Sequence, residues 1–506
     1  MTVAASETET KYDAPAGVCL PRLDDLPQVA GISGPKEQRL EAVYYDTGDL
    51  RLIRAGVTLR RRQGGDDAGW HLKLPAGAST RTEIRLPVGR TGQRVPGELA
   101  GLVRVHTRGE PLRPVARMTT VRQVLVLLDE GGEALAEVAA DDVRAQTLGS
   151  TTTVSRWNEV EIELVNGDWQ LLQAADDLLR REGLRRAGRT AKLERALGLQ
   201  SPAPARGLAL RPSSSAGQLV LAYLREQIKA LKSMDPMVRR DEPDSVHKMR
   251  VATRRLRSTL RSFRKIIRPD PASELAAELK WLGGVLGQAR DAEVLSRHLQ
   301  TQLRSTPVEQ VIGPVQARIQ GHFPPIREAA RKTAVAALDS ERYFALLDQL
   351  DQLLADPPFG PDADKPAARA VIKAVRQSYR KTAQRARQAW AAADGQPRDA
   401  ALHQARKAAK RARYAGEVAS PAFGKPARLF TKQIKRLQTI LGDHQDTVIA
   451  RQQERQLGIN AHLAGENSFT YGLLYADDAH AAQQLQREAR RTWKQAARGR
   501  YRKWLR

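Results

Sequence analysis

One cysteine, Cys19, stands among 506 residues, and aromatic residues make up only 5%. A lone cysteine excludes a disulfide framework and fits a reducing compartment. Aromatics this sparse argue against a surface that stacks unpaired bases. No run of about 18 apolar residues occurs, so no helix is expected to span a membrane. The start, MTVAASETETKYD, has neither the basic head nor the apolar stretch of a secretory signal. The Walker pattern GxxxxGK followed by Ser or Thr is missing, which argues against an ordinary P-loop nucleotidase. No helix-turn-helix, zinc-finger or RNA-recognition signature is visible. The expectation is a soluble, cytoplasmic chain with neither a membrane nor a specific nucleic acid as partner, and with its oligomeric state open.

The chain is too long for one hydrophobic core, so two or three domains are expected. Its net charge is +26, distributed unevenly. Residues 1–200 hold 28 Lys+Arg against 28 Asp+Glu, and residues 201–506 hold 55 against 29. A balanced domain is therefore joined to one that seeks a polyanion. The stretch SPAPARGLALRPSSSAG, from Ser201 to Gly217, has a linker's composition. The expected boundaries are a first domain over 1–200, a linker over 201–216 and a second domain over 217–506.

The first domain reads as antiparallel β. GVTLRRRQ, GWHLKLP, TRTEIRLP, VRQVLVLLDEGGEALAEVA and WNEVEIELVNG alternate with period two between turn residues. QLLQAADDLLRREGL and RTAKLERALGL supply helices at its end. Residues two apart in a strand share a face. Glu7, Glu9 and Lys11 then point one way, as do Arg60 with Arg62, His71 with Lys73, Arg81 with Glu83 and Arg85, and Glu159 with Glu161 and Glu163. Their neighbours Leu59, Leu72, Ile84, Val160 and Ile162 are apolar. Any one charged strand face is ordinary, but five together favour a barrel with a charged lumen and a covered apolar exterior. Carboxylates in such a lumen suit Mg²⁺ or Mn²⁺, and its cations suit phosphoryl oxygens, a combination fit for phosphoryl transfer.

The second domain reads as all-helical and internally repeated. His247, Arg250, Arg254, Arg255 and Arg257 recur as His403, Arg406, Lys410, Arg411 and Arg413. ELKWLGGVLGQARDAEVL is echoed by KQIKRLQTILGDHQDTVIA, which aligns Lys280 with Lys435, Gly287 with Gly442 and Asp291 with Asp446. At about 100° per residue, His247, Arg250, Arg254, Arg257 and Arg261 form one stripe opposite Leu256, Leu260 and Phe263. Like charges at this spacing weaken a lone helix, so two matched stripes imply an anion between them. Without aromatic platforms, a phosphate chain without bases fits better than nucleic acid. Near-neutral histidines would make its binding pH-sensitive.

These residues carry two resemblances. Residues 217–506 resemble a CHAD domain, the conserved-histidine α-helical family of duplicated four-helix bundles that bind inorganic polyphosphate. The resemblance implies polyphosphate contacts from His247, Arg250, Arg254, Arg255, Arg257, Arg261 and Lys280 in the first copy. In the second it implies His403, Arg406, Lys407, Lys410, Arg411, Arg413, Lys432, Lys435, Arg436 and His444. GDHQD answers GQARD, so His444 has no histidine counterpart.

ETETK, YYDTGDLRLIRAGVTLRRR, WHLKLP, EVEIEL and AKLERAL, in that order, resemble the CYTH family of triphosphate tunnel metalloenzymes. That likeness implies an eight-stranded antiparallel tunnel that hydrolyses triphosphates or, in one branch, cyclises ATP. It implies Glu7, Glu9, Glu137, Asp141, Glu159 and Glu161 at a Mg²⁺ or Mn²⁺ site, with Glu163 an alternative to Glu159. Lys11, Arg60, Arg62, Lys73, Glu83, Arg122 and Lys192 complete the implied catalytic set. The lead-in to ETETK is polar where the family shows apolar residues. The leading expectation is a metal-dependent triphosphatase acting on inorganic triphosphate, fused to a polyphosphate-binding domain and associated with polyphosphate granules. The alternatives are a non-catalytic docking protein, a nucleotide or thiamine triphosphatase, and an adenylate cyclase.

Overall fold

The computed structural model describes residues 3–15, 17, 20–75, 80–89, 94–187, 191–199 and 209–506, with side chains from Thr8 onward. Cys19 and half of the expected linker, residues 201–208, lie outside the described residues. The chain divides into two compact units, Met1–Arg206 and Gly207–Arg506.

The first unit is the antiparallel barrel that its charged strands imply. Its strands are β1 (Val3–Ala14), β2 (Gly31–Asp46), β3 (Thr58–Gln63), β4 (Gly69–Pro75), β5 (Thr80–Leu86), β6 (Arg113–Leu128), β7 (Ala134–Thr147) and β8 (Val154–Leu164). They pair in the order β5-β4-β3-β2-β6-β7-β8-β1, and β1 returns to β5. One strand makes the closure by dividing its partners: Val3–Thr8 pairs with β5, and Glu9–Ala14 with β8. A two-residue strand, β9 (Arg185–Arg186), also pairs with β1. Closure leaves no row of unpaired backbone groups.

Helices cover the exterior. Short α1 (Arg51–Arg54), α2 (Gly97–Leu102) and α3 (Arg104–Thr107) lie beside Trp70, Leu72 and Ile84 of β4 and β5, and Leu52, Leu99 and Leu102 join that core. Helix α4 (Trp169–Arg181) packs Leu171, Leu172, Ala175 and Leu179 on Tyr12, Val138, Val160 and Ile162. Asp168 caps it by accepting from the Gln170 and Leu171 amides at 2.8 and 3.1 Å. Helix α5 (Lys192–Ala196) buries Leu193 and Ala196 among Ala116, Met118 and Trp157. Each fully buried aliphatic side chain contributes about 1.5–3 kcal/mol. The apolar alternates therefore hold the charged alternates inward.

Strand β2 escaped the period-two pattern. Its first half, GISGPKEQ, is polar and largely exposed, and its pairing with β6 shifts register between Ser33 and Lys36. Pro35 falls inside that shift, where a residue without an N–H is tolerated.

The second unit is helical: α6 (Ala216–Arg239), α7 (Ser245–Ser262), α8 (Pro269–Ser305), α9 (Val315–Leu338), α10 (Glu341–Ala355), α11 (Ala367–Ala391), α12 (Gln396–Leu463) and α13 (Phe469–Ala496). Helix α12 breaks at Gly424, whose φ of 59° with ψ of −136° only glycine adopts readily, between Pro421 and Pro426. Counting α12 as two helices, α11–α13 repeat the packing sequence of α6–α9. Helix α6 opens with a capping box in which Ser215 and Gln218 exchange side-chain and backbone hydrogen bonds. Among the described residues no helix is long and apolar enough to cross a membrane.

Behind the lumen wall, the Tyr12 hydroxyl donates to Asp176 at 2.8 Å, and Arg186 donates to the same carboxylate at 2.5 Å. Tyr12→Phe removes one buried hydrogen bond and leaves Asp176 its arginine. We expect a loss of about 1 kcal/mol from the barrel's stability, read as a lower denaturant midpoint with an unchanged slope. An unchanged midpoint would contradict this role for the hydroxyl.

Candidate functional site

The barrel encloses a cavity of about 600 Å³. Cross-strand register brings its charges into rows. Asp13, Glu159 and Asp141 are neighbours across β1, β8 and β7, as are Glu9, Glu163 and Glu137, while Lys11 lies opposite Glu161 between those rows. Asp141, Glu159 and Glu161 offer oxygens within 4.8 Å of one another, all three buried. The Lys192 ammonium sits among them at 2.9, 2.5 and 2.7 Å. Arg122 clamps Asp141 with two hydrogen bonds of 2.7 Å and donates to Glu161 at 2.6 Å. Lys11 pairs with Glu161 and, at 3.1 Å, with Glu9.

This network fixes the charge states. Burial pushes the Glu161 carboxyl up, but Lys11, Lys192 and Arg122 outweigh it and hold it well below the usual range. Burial likewise opposes charge on Asp141, and Lys192 with Arg122 wins. Glu9 is held down against burial by Lys11, with Lys73 and Arg81 helping. The acids are thus ionised at neutral pH. Three buried oxygen donors gathered around a positive charge are a donor set that fits a hard divalent cation. Of the triad Glu161 lines the cavity, together with Glu9 and Glu137, which do not belong to the triad. Glu7 lies in β1 opposite Arg81, but its side chain is outside the described residues.

The facing wall is cationic. Arg60, Arg62, Lys73, Arg81 and Arg85 line it, with Glu83 among them. The Arg60 guanidinium makes one hydrogen bond among the described residues, to the Tyr44 hydroxyl at 3.4 Å, and its buried Nε has no partner. Burial, then Arg60 and Arg122, push Arg62 down to about 9, although Asp67 pairs with it. His71 joins Glu83 at 2.9 Å and the Asp67 carbonyl at 2.8 Å. Burial pushes it down to about 4, so it is neutral at physiological pH. Sequence pattern alone passed over Tyr44, Asp67 and Lys36, which also line the cavity.

In the helical unit a cleft of about 900 Å³ gathers His247, Arg250, Arg254 and Arg255 from α7 with His403, Arg406, Lys410 and Arg413 from α12. Lys435 joins them. The repeated glycines explain the geometry. A Cβ on Gly287 would lie 3.3 Å from the Arg250 guanidinium, and one on Gly442 would lie 3.3 Å from that of Arg406. Each glycine makes room for the stripe arginine of its own copy. Arg250 then reaches Asp291 at 2.8 Å, and Asp446 is the strongest favourable charge on Arg406.

Positive charge still exceeds negative. Burial, then Arg406, Arg254 and Arg250, push the Lys410 ammonium down to about 7. Arg254 is lowered by burial and Arg250, against an opposing Tyr414. His247 and His403 are also pushed below their ordinary value, by burial first and then by Arg290 and Lys407 respectively. Lys410 thus joins the groups that titrate near neutrality.

Not all of the expected cations meet there. Burial and then Arg261 with Arg411 lower Arg257, and Arg261 and Arg411 line a separate groove with Arg264, Lys373 and Lys381. Lys280, Lys407 and Lys432 are exposed outside the cleft, and Arg436 lies beside Arg487 and Arg491. His444 is 2% exposed and turned away, facing Asp399 at 3.3 Å and Gln486 at 3.1 Å. Arg290 and His298 line the cleft without having been singled out as ligands from the sequence.

A family model for the CYTH domain matches residues 5–196, and one for the CHAD domain matches residues 222–454. Two uncharacterized proteins of Mycobacterium tuberculosis, from strains CDC 1551 / Oshkosh and ATCC 25618 / H37Rv, are each 37% identical over 495 residues, covering 95% of this chain and 94% of theirs. The chain belongs to the CYTH–CHAD family. Among solved structures, PptA from Streptomyces chartreusis aligns with 21% identity and a TM-score of 0.48, over 56% of this chain and all of that one. The CHAD domain of the plant Ricinus communis aligns with 26% identity and a TM-score of 0.43, over 60% of this chain and 96% of that one.

The Lys410 shift is directly testable. Competitive acetylation followed by mass spectrometry should give Lys410 a midpoint near 7, and Arg406→Gln should raise it by removing the largest neighbouring charge. A midpoint near the ordinary lysine value of about 10.4 in the parent protein would contradict the cleft's electrostatics.

Proposed function

We propose that the CYTH domain hydrolyses a linear triphosphate, with inorganic triphosphate as its preferred substrate, and that the CHAD domain binds inorganic polyphosphate. The observation that carries the first half is the pairing of a buried carboxylate triad with a wall of cations that includes the underpartnered Arg60. Mg²⁺ or Mn²⁺, held by Asp141, Glu159 and Glu161 with Glu9 alongside, would polarise phosphoryl oxygens and orient a water for attack. Arg60, Arg62 and Lys73 bind the phosphoryl oxygens opposite, and Arg122 and Lys192 fix the carboxylates while adding positive charge. Of the described lining residues one is aromatic, Tyr44. A lumen with so little for a base to stack on supports a base-free substrate over ATP cyclisation.

In the CHAD domain the cleft holds more cations than its carboxylates neutralise. A chain of phosphates supplies the missing charge at regular spacing, and it needs no base readout. Binding draws a proton onto Lys410, because an adjacent anion raises an ammonium held at about 7. Affinity should accordingly decline as pH rises from 7 to 9.

Two experiments test these readings. Glu9→Gln and Glu7→Gln, which keep size and remove charge, should cut metal-dependent phosphate release from triphosphate at least about 100-fold while the fold persists. Arg60→Ala should raise KM and lower kcat together. Full metal-dependent turnover in all three would remove the tunnel from the mechanism. For the cleft, Arg406→Glu with Lys410→Glu should weaken binding of long-chain polyphosphate by about two orders of magnitude, and parent binding should fall steeply with salt. Parent-like affinity in a variant still helical by circular dichroism would contradict the site, as would preference for duplex DNA at equal phosphate concentration.

A further inference from the structure

The helical unit contains a second acidic constellation, apart from the cationic cleft residues that give that domain its assigned role. His298 on α8, Glu454 on α12 and Asp478 on α13 offer ligand atoms within 4.8 Å of one another. Glu454 is wholly buried at 0% exposure, and among the described residues no donor satisfies either carboxylate oxygen. Asp478 is 2% exposed and meets His298 Nε2 through both oxygens, at 3.1 and 2.9 Å. His298 is the member that reaches solvent, where its side chain lines the cleft.

Two carboxylates cannot share a dry site as bare charges. One imidazole balances at most one of them, and Arg451, the nearby cation, is engaged with Asp399 at 3.1 Å. Asp477 on α13 adds further negative charge. The pair therefore holds either a proton or a cation. The proton alternative has a clear form: burial and then Asp478 push the Glu454 carboxyl up to about 9. A proton shared between the two acids would nevertheless satisfy one oxygen of Glu454 and leave the other buried without a donor. A cation satisfies both.

We propose that His298, Glu454 and Asp478 bind a divalent transition ion of the Mn²⁺ or Zn²⁺ kind. One imidazole nitrogen with two carboxylates is a mixed donor set that suits these ions better than Mg²⁺ or Ca²⁺, which take oxygen throughout. The ion ties α8, α12 and α13 together and cancels negative charge beside the anion-binding cleft. The site stands whether or not that cleft takes polyphosphate.

The test uses the tag-free full chain, stripped by chelation and titrated with Mn²⁺ and Zn²⁺. The tunnel triad of Asp141, Glu159 and Glu161 contains no imidazole, and His71 of the barrel has both ring nitrogens engaged. The part of the nitrogen-14 modulation of bound Mn²⁺, in pulsed electron paramagnetic resonance, that depends on His298 therefore reports the helical site. We expect that signal in the parent and its loss in His298→Gln. Glu454→Gln with Asp478→Asn should remove one equivalent of bound metal, or weaken that equivalent about 100-fold or more. Triphosphate hydrolysis should be unchanged in the double variant. No nitrogen coupling in the parent, with equal metal stoichiometry in parent and variants, would show that the two acids share a proton only.

Discussion

Asp141, Glu159 and Glu161 cannot be buried side by side unless positive charge lies among them, and much of the barrel follows from that constraint. Lys192 supplies the charge from helix α5, at 2.5–2.9 Å from all three. Arg122 and Lys11 complete the balance from β6 and β1. Strand alternation then leaves only one place for the apolar partners, outside, where helices must cover them. A charged lumen and an ordinary hydrophobic core are thus two faces of the same strands. Val160 and Ile162 pack beneath α4, while Glu161 faces the cavity and Glu159 joins it in the buried triad.

The helical unit presents the opposite imbalance. Its cleft has more cations than acids, and the cost shows in Lys410, held at about 7. Natural interiors seldom keep like charges together without a ligand to stabilise them. The two internal copies build this arrangement with the same device: a glycine on one helix admits the arginine of its neighbour, whose guanidinium would lie 3.3 Å from an added Cβ in both. A side chain at either glycine would press on a guanidinium, which must then shift by a few tenths of an ångström, so the glycine of LG-x-x-x-D gives the stripe arginine its room.

Much of this was legible in the sequence. EVEIEL showed its two faces because glutamate and β-branched or aliphatic residues alternate without interruption. The duplication showed because the spacing from histidine to arginine recurs with the glycine and aspartate downstream. Strand β2 did not show, because Pro35 and a register shift break its period. The stripe on α7 was read as one surface, yet a helix of 18 residues is long enough to serve two. Arg250 and Arg254 meet α12 at the cleft, while Arg261 lies beyond it beside Arg411. His444 immediately precedes the cleft-lining Gln445 and Asp446, and helical phase turns it toward Asp399. An isolated histidine titrates near neutrality; burial among cations lowers both cleft histidines, and it brings Lys410 down to about 7. Part of these shifts comes from the same helix, as with Arg406 beside Lys410, but the rest comes from burial and from Arg250, Arg254 and Arg290 on neighbouring helices, which spacing within one helix does not reveal.

The central claim is that the tunnel is built for a phosphate chain and not for a nucleotide. Steady-state phosphate release from inorganic triphosphate, ATP and thiamine triphosphate, measured side by side with Mg²⁺ and with Mn²⁺, tests it most directly. The account predicts metal-dependent hydrolysis with the highest kcat/KM for inorganic triphosphate. Cyclic AMP as the main product from ATP, or no turnover of any triphosphate by the intact protein with either metal, would contradict it.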